Sequence, residues 1–96
     1  MSEKIIQAVE KVLKSGRYIL GQEVKLFEKE VALFYKKKYA VGTNSGTDAL
    51  WLSLKAIGVK QDDEVITTPF TFISPSEVIA QCGARPVFAD INFDDF

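Results

Sequence analysis

The sequence predicts an α/β fold in which helices surround a mainly parallel sheet, with about three strands present. Three observations lead there. Apolar residues recur at helical spacing in four stretches. Three short β-rich runs lie beyond residue 38, and helices separate them instead of tight turns. Strands joined through helices pair in parallel, with right-handed connections.

The first helix is expected over residues 3–14, with Ile5, Val9, Val12 and Leu13 on one face. Ser2 can cap it and Ser15-Gly16 ends it. A loop bracketed by Gly16 and Gly21 carries Arg17, Tyr18, Ile19 and Leu20. The second helix is expected over residues 22–37, where Val24, Phe27, Val31 and Phe34 recur at spacings of three and four. Residues 39–42 read as a short strand.

The next helix, residues 47–57, is apolar nearly all round, so burial against the sheet is expected. Gly58 stops it, and Gln61-Asp62-Asp63 turns the chain into a second strand over residues 64–68. Beyond Pro69, Ser74-Pro75-Ser76-Glu77 reads as a helix start. Ser74 is its cap, Pro75 its first helical residue and Glu77 the acid three residues on. Val78, Ile79 and Cys82 form its apolar side, Gly83 ends it, and residues 86–91 make the third strand. Nothing closes the sheet after that strand, so an N-terminal piece of a larger protein is expected. Residues 1–38 would lead into a single incomplete domain spanning 39–96.

Composition narrows the function. Of 96 residues, 47% are hydrophobic, which predicts a packed interior. A net charge of −1 gives no general attraction to nucleic acid or an anionic membrane. With no histidine, His-based triads and the commonest transition-metal sites are excluded from this stretch, and no metal site is expected. The single Cys82 cannot form an internal disulfide and reads as a small buried hydrophobe. No apolar run approaches membrane-spanning length, which points to a cytoplasmic protein.

Val41-Gly-Thr-Asn-Ser-Gly-Thr-Asp-Ala-Leu50 carries the most chemistry. A small-residue turn runs into a helix, placing Ser45, Gly46 and Thr47 where the first backbone N–H groups lack intrahelical partners. Gly46 has no Cβ, so a phosphate could approach closely. A capping box between Ser45 and Asp48 explains the same residues without any ligand. A second site, Thr68-Pro69-Phe70-Thr71-Phe72-Ile73, follows the second strand, where open α/β sheets collect ligands. Phe70 and Phe72 are either core aromatics or a face for a flat ring. Side by side, the two sites would suit a phosphorylated heteroaromatic molecule.

Gly42-Thr-Asn-Ser-Gly-Thr-Asp-Ala-Leu50, Asp63-Glu-Val-Ile66, Thr71-Phe72 and Gly83-Ala-Arg-Pro-Val-Phe-Ala-Asp90 together resemble the DegT/DnrJ/EryC1/StrS family. Ser15-Gly-Arg-Tyr-Ile-Leu-Gly21 and Phe27-Glu28 resemble its N-terminal region. These are sugar aminotransferases of the aspartate aminotransferase fold (fold type I) that depend on pyridoxal 5′-phosphate (PLP). The resemblance implies the first part of the large, PLP-binding domain. It places the cofactor phosphate on Ser45, Gly46 and Thr47, stacks the pyridine ring on Phe72, and gives Tyr18 a substrate role. The i, i+2 relation of Phe70 and Phe72 in a tightening turn makes them diverge, so Phe70 is expected to pack inward.

The resemblance also implies a homodimer when complete, a nucleotide-linked keto sugar as substrate, and glutamate or glutamine as amino donor. A sugar dehydratase of the same family and a non-catalytic regulatory remnant are the alternatives. The family's Schiff-base lysine lies downstream of the matched region, so no catalytic residue is expected within it. Two departures stand out. Asp62 replaces the usual glycine before the Asp-Glu-Val-Ile strand, and Asp tolerates a left-handed turn. Ser74-Pro75 replaces smaller residues and is expected to shift the helix start by one position.

Overall fold

The computed structural model describes residues 2–95. The chain divides into two compact units at Gly42/Thr43. The first holds helices α1 (Glu3–Ser15) and α2 (Gln22–Phe34). The second holds α3 (Gly46–Ala56), β1 (Glu64–Thr67), α4 (Ser74–Gln81) and β2 (Arg85–Phe88).

In the first unit, α1 stops at Gly16 as expected, but the Ser2 hydroxyl does not cap its start. Ser2 occupies the N-cap position through its carbonyl, which accepts from Ile5 N–H at 3.0 Å, and its side chain makes no cap bond. Gly16 closes the helix at φ 66°. Lys11 pairs with Glu23 at 3.1 Å, an exposed bridge of small energetic value.

α2 ends at Phe34, three residues short of the expected 37. Lys36 turns left-handed at φ 52°, and its N–H and that of Lys37 donate to the carbonyls of Leu33 and Ala32. This is a Schellman closure without its usual glycine, which is why the sequence does not announce it. The expected strand over 39–42 does not form. A strand exists only with a ladder partner, and these residues have none among those described. Instead, Gly42 N–H donates to Glu28 Oε1 at 2.7 Å.

The second unit is built on a β–α–β step. β1 and β2 pair in parallel, Glu64 opposite Arg85 through Thr67 opposite Phe88. The Glu64 carboxylate and Arg85 guanidinium form an ion pair across the first register position. Among the described residues the sheet has two strands, not three, and β2 ends at Phe88 instead of 91.

Ile79, Cys82 and Ala84 form the core, with Trp51 and Leu54 of α3, Val59, and Val65 of β1 packed against it. Cys82 is buried as expected, and Val78 beside it is 1% exposed. Burying such side chains contributes about 1.5–3 kcal/mol each. α3 corrects the expectation of burial against a sheet. It packs on α4, has no fully buried residue, and leaves Leu50 and Leu52 exposed.

α3 and α4 close as α2 does, with Gly58 (φ 85°) and Gly83 (φ 78°) in the left-handed position. Asp62 takes φ 69°, the left-handed turn its position requires. No helix among the described residues is long and apolar enough to cross a membrane.

Candidate functional site

The opening turn of α3 resolves the two readings of its sequence into one arrangement. Ser45 is extended (φ −154°, ψ 166°), and its Oγ accepts the Asp48 N–H at 3.0 Å. Its carbonyl accepts from Ala49 N–H at 3.0 Å. The cap therefore satisfies the third N–H of the helix. The N–H groups of Gly46 and Thr47 have no acceptor among the described residues. Capping and anion binding use different amides, so both can hold at once.

Over the first turn the space is open: a Cβ built on Gly46 would meet nothing within 4 Å. Across from it, Ser74 begins α4. The expectation that Ser74 caps this helix is corrected. Ile73, in helical geometry, holds the cap position, and its carbonyl accepts the N–H groups of Ser76 and Glu77 at 3.1 Å each. The helix thus starts one residue earlier than the expected Pro75. Released from capping, the Ser74 hydroxyl lies 2.8 Å from Thr47 Oγ1.

Gly46, Thr47 and Leu50 of α3 line a shallow, wide-mouthed depression of about 470 Å³ with Thr71, Phe72, Ser74 and Pro75. None of these side chains is charged. Any pull on an anion comes from the two amides, the hydroxyls and the positive end of α3. Phe72 is 74% exposed, so a ring face is open to a flat ligand.

Phe70 does not pack inward: it is 67% exposed, and its N–H donates to Thr68 Oγ1 at 3.1 Å. What separates the two aromatics is that Phe72 lines the depression and Phe70 does not. Tyr18 belongs to the first unit, where its hydroxyl donates to the Leu13 carbonyl at 3.2 Å. Sequence reasoning missed Ser74 as a wall of the depression. Its position before Pro75 signalled a cap, and only the packing of α4 on α3 redirects its hydroxyl. Among the described residues, no group of three or more Cys, Asp or Glu side chains could hold a metal ion.

The sequence profile of the DegT/DnrJ/EryC1/StrS aminotransferase family matches residues 1–96. The chain belongs to that family. Its similarity to individual DegT-family proteins is substantial. It is 52% identical over 87 residues to the spore coat polysaccharide biosynthesis protein SpsC of Bacillus subtilis, covering 91% of this chain and 22% of SpsC. It is 42% identical over 92 residues to the UDP-2-acetamido-2-deoxy-3-oxo-D-glucuronate aminotransferase of Pseudomonas aeruginosa, covering 96% of this chain and 26% of that enzyme.

Among solved structures, NtdA of Bacillus subtilis with bound cofactor PMP superposes with a TM-score of 0.86 at 33% identity. That likeness covers 94% of this chain and 21% of NtdA. The chain spans about a quarter of the length of the curated relatives it matches.

Proposed function

We propose that this chain is the N-terminal segment of a PLP-dependent aminotransferase acting on the keto group of a nucleotide-linked sugar. Glutamate or glutamine is the amino donor. The observation that carries the reading is the α3 depression, where two amides without acceptors and an uncrowded glycine lie beside an exposed aromatic ring. Family membership and similarity to a PMP-bound structure support the same reading, PMP being the amine form of PLP. In this proposal residues 39–96 begin the PLP-binding large domain, and the complete enzyme is a cytoplasmic homodimer.

The residues fit the cofactor. A phosphate dianion would have two N–H donors at Gly46 and Thr47 and the Thr47 hydroxyl, with room above Gly46 for close approach. Ser45 serves by holding the turn that aims those amides. Phe72 would lie against the pyridine ring and fix its plane. When bound, PLP acts as an electron sink for the carbanion left when a proton is removed from the amino acid Cα. This segment's part is to anchor and orient, which matters because the breaking Cα bond must align with the ring's π system. Proton transfer belongs to a lysine outside the matched segment. Tyr18 is proposed to face substrate in the complete enzyme.

The test is amino transfer from glutamate to a nucleotide-linked keto sugar by the complete enzyme, with product identified by mass spectrometry. Loss of PLP retention in Gly46→Val with the fold intact supports the site. Full retention of PLP by that variant would place the phosphate elsewhere.

A further inference from the structure

Resting on the phosphate reading above, we infer that Ser74 is a positioning residue that turns the Thr47 hydroxyl proton toward the bound phosphate. The two oxygens lie 2.8 Å apart, and geometry alone allows either to donate. Burial decides the direction. Ser74 is 6% exposed and its side chain has no other acceptor among the described residues. If Thr47 donated, the Ser74 proton would have no protein acceptor among the described residues and, at 6% exposure, little access to water, which costs more than the hydrogen bond returns.

Ser74 therefore donates and Thr47 accepts. Thr47 is only half-buried and lines the depression beside the two open amides. With its lone pair engaged, its own proton points outward as a third donor converging with the Gly46 and Thr47 N–H groups. An alcohol that accepts one hydrogen bond becomes a better donor in the next, so the pair polarises toward an anion. Without Ser74, the Thr47 hydroxyl would rotate freely and present a lone pair to the phosphate part of the time.

A double-mutant cycle on the complete enzyme tests this, with titration of PLP and of pyridoxal, which lacks the phosphate. Ser74→Ala should weaken PLP about three- to tenfold and leave pyridoxal unchanged. In a Thr47→Val background it should have no further effect, and Ser74→Thr should restore affinity. Equal losses for PLP and pyridoxal, or an equal Ser74→Ala loss with and without the Thr47 hydroxyl, would overturn the positioning role. If Gly46→Val and Thr47→Val both leave PLP affinity untouched, the phosphate reading itself fails, a separate result. Should Ser74→Ala fail to fold, Ser74→Cys replaces it. A thiol is a weak donor of similar size and should show the same PLP-specific loss.

Discussion

The Ser45 hydroxyl accepts the Asp48 N–H at 3.0 Å, while the amides of Gly46 and Thr47 beside it have no acceptor among the described residues. Ser45→Ala should cost about 1 kcal/mol of stability, read as a lower urea midpoint. Ser45→Asp should keep the cap and the midpoint, yet weaken PLP through its charge beside the phosphate. Unchanged stability in Ser45→Ala would mean that α3 does not depend on its cap.

Gly46 separates folding from binding. A methyl group there meets open space, and the backbone is not left-handed, so Gly46→Ala should leave thermal stability unchanged or slightly raised. PLP retention should fall with side-chain bulk, from glycine through alanine to valine. Equilibrium dialysis of the three proteins checks the order. Retention that ignores bulk would remove the phosphate from the first turn of α3.

Phe72 and Phe70 have nearly equal exposure, so their difference is one of position. Phe72→Ala should lower cofactor affinity about tenfold, in line with a lost aromatic stacking contact of about 1–1.5 kcal/mol, while Phe70→Ala should change it little. The reverse ranking in a fluorescence titration would assign the ring face to the wrong aromatic.

Lys36 offers a test of the fold alone. It holds the left-handed closing position of α2 that Gly58 and Gly83 hold after α3 and α4. Lys36→Gly should relieve the Cβ strain and stabilise the chain by about 0.5–1 kcal/mol, less the entropy glycine gains on unfolding. Gly83→Ala should do the opposite. Its Cβ would lie 3.2 Å from the Gln61 Cα, in a backbone region alanine resists. A raised melting temperature for Gly83→Ala would show the closure to be looser than drawn.

If, as proposed, the lysine that moves the proton lies outside the matched segment, the isolated 96-residue chain should transfer no amino group. Coupled glutamate turnover with PLP present is the measurement. Measurable transamination with one lysine of this chain labelled by borohydride reduction would reassign that role.

Local chemistry determined much of this protein before any packing was known. Gly16, Gly58 and Gly83 end three helices, because the left-handed closing residue is cheapest when it lacks a Cβ. The start of α3 at Ser45-Gly46 and the left-handed turn at Asp62 follow from the same short-range rules. Where the sequence misled, the deciding partner was distant. Residues 39–42 have β-like composition, but a strand is a property of a pair. The all-round apolar surface of α3 predicted burial against a sheet, yet the helix packs on α4 and leaves Leu50 and Leu52 exposed. Lys36 closed α2 against its own preference, with backbone bonds to Leu33 and Ala32 holding it there. The site shows the division most clearly. The turn before α3 supplied Ser45, Gly46 and Thr47 as candidates, and the family resemblance singled out Phe72, each within its own turn or loop. Only the packing of α4 on α3 could bring Ser74 to Thr47, 27 residues away, since a hydrogen bond of 2.8 Å is set by helix placement and not by sequence distance.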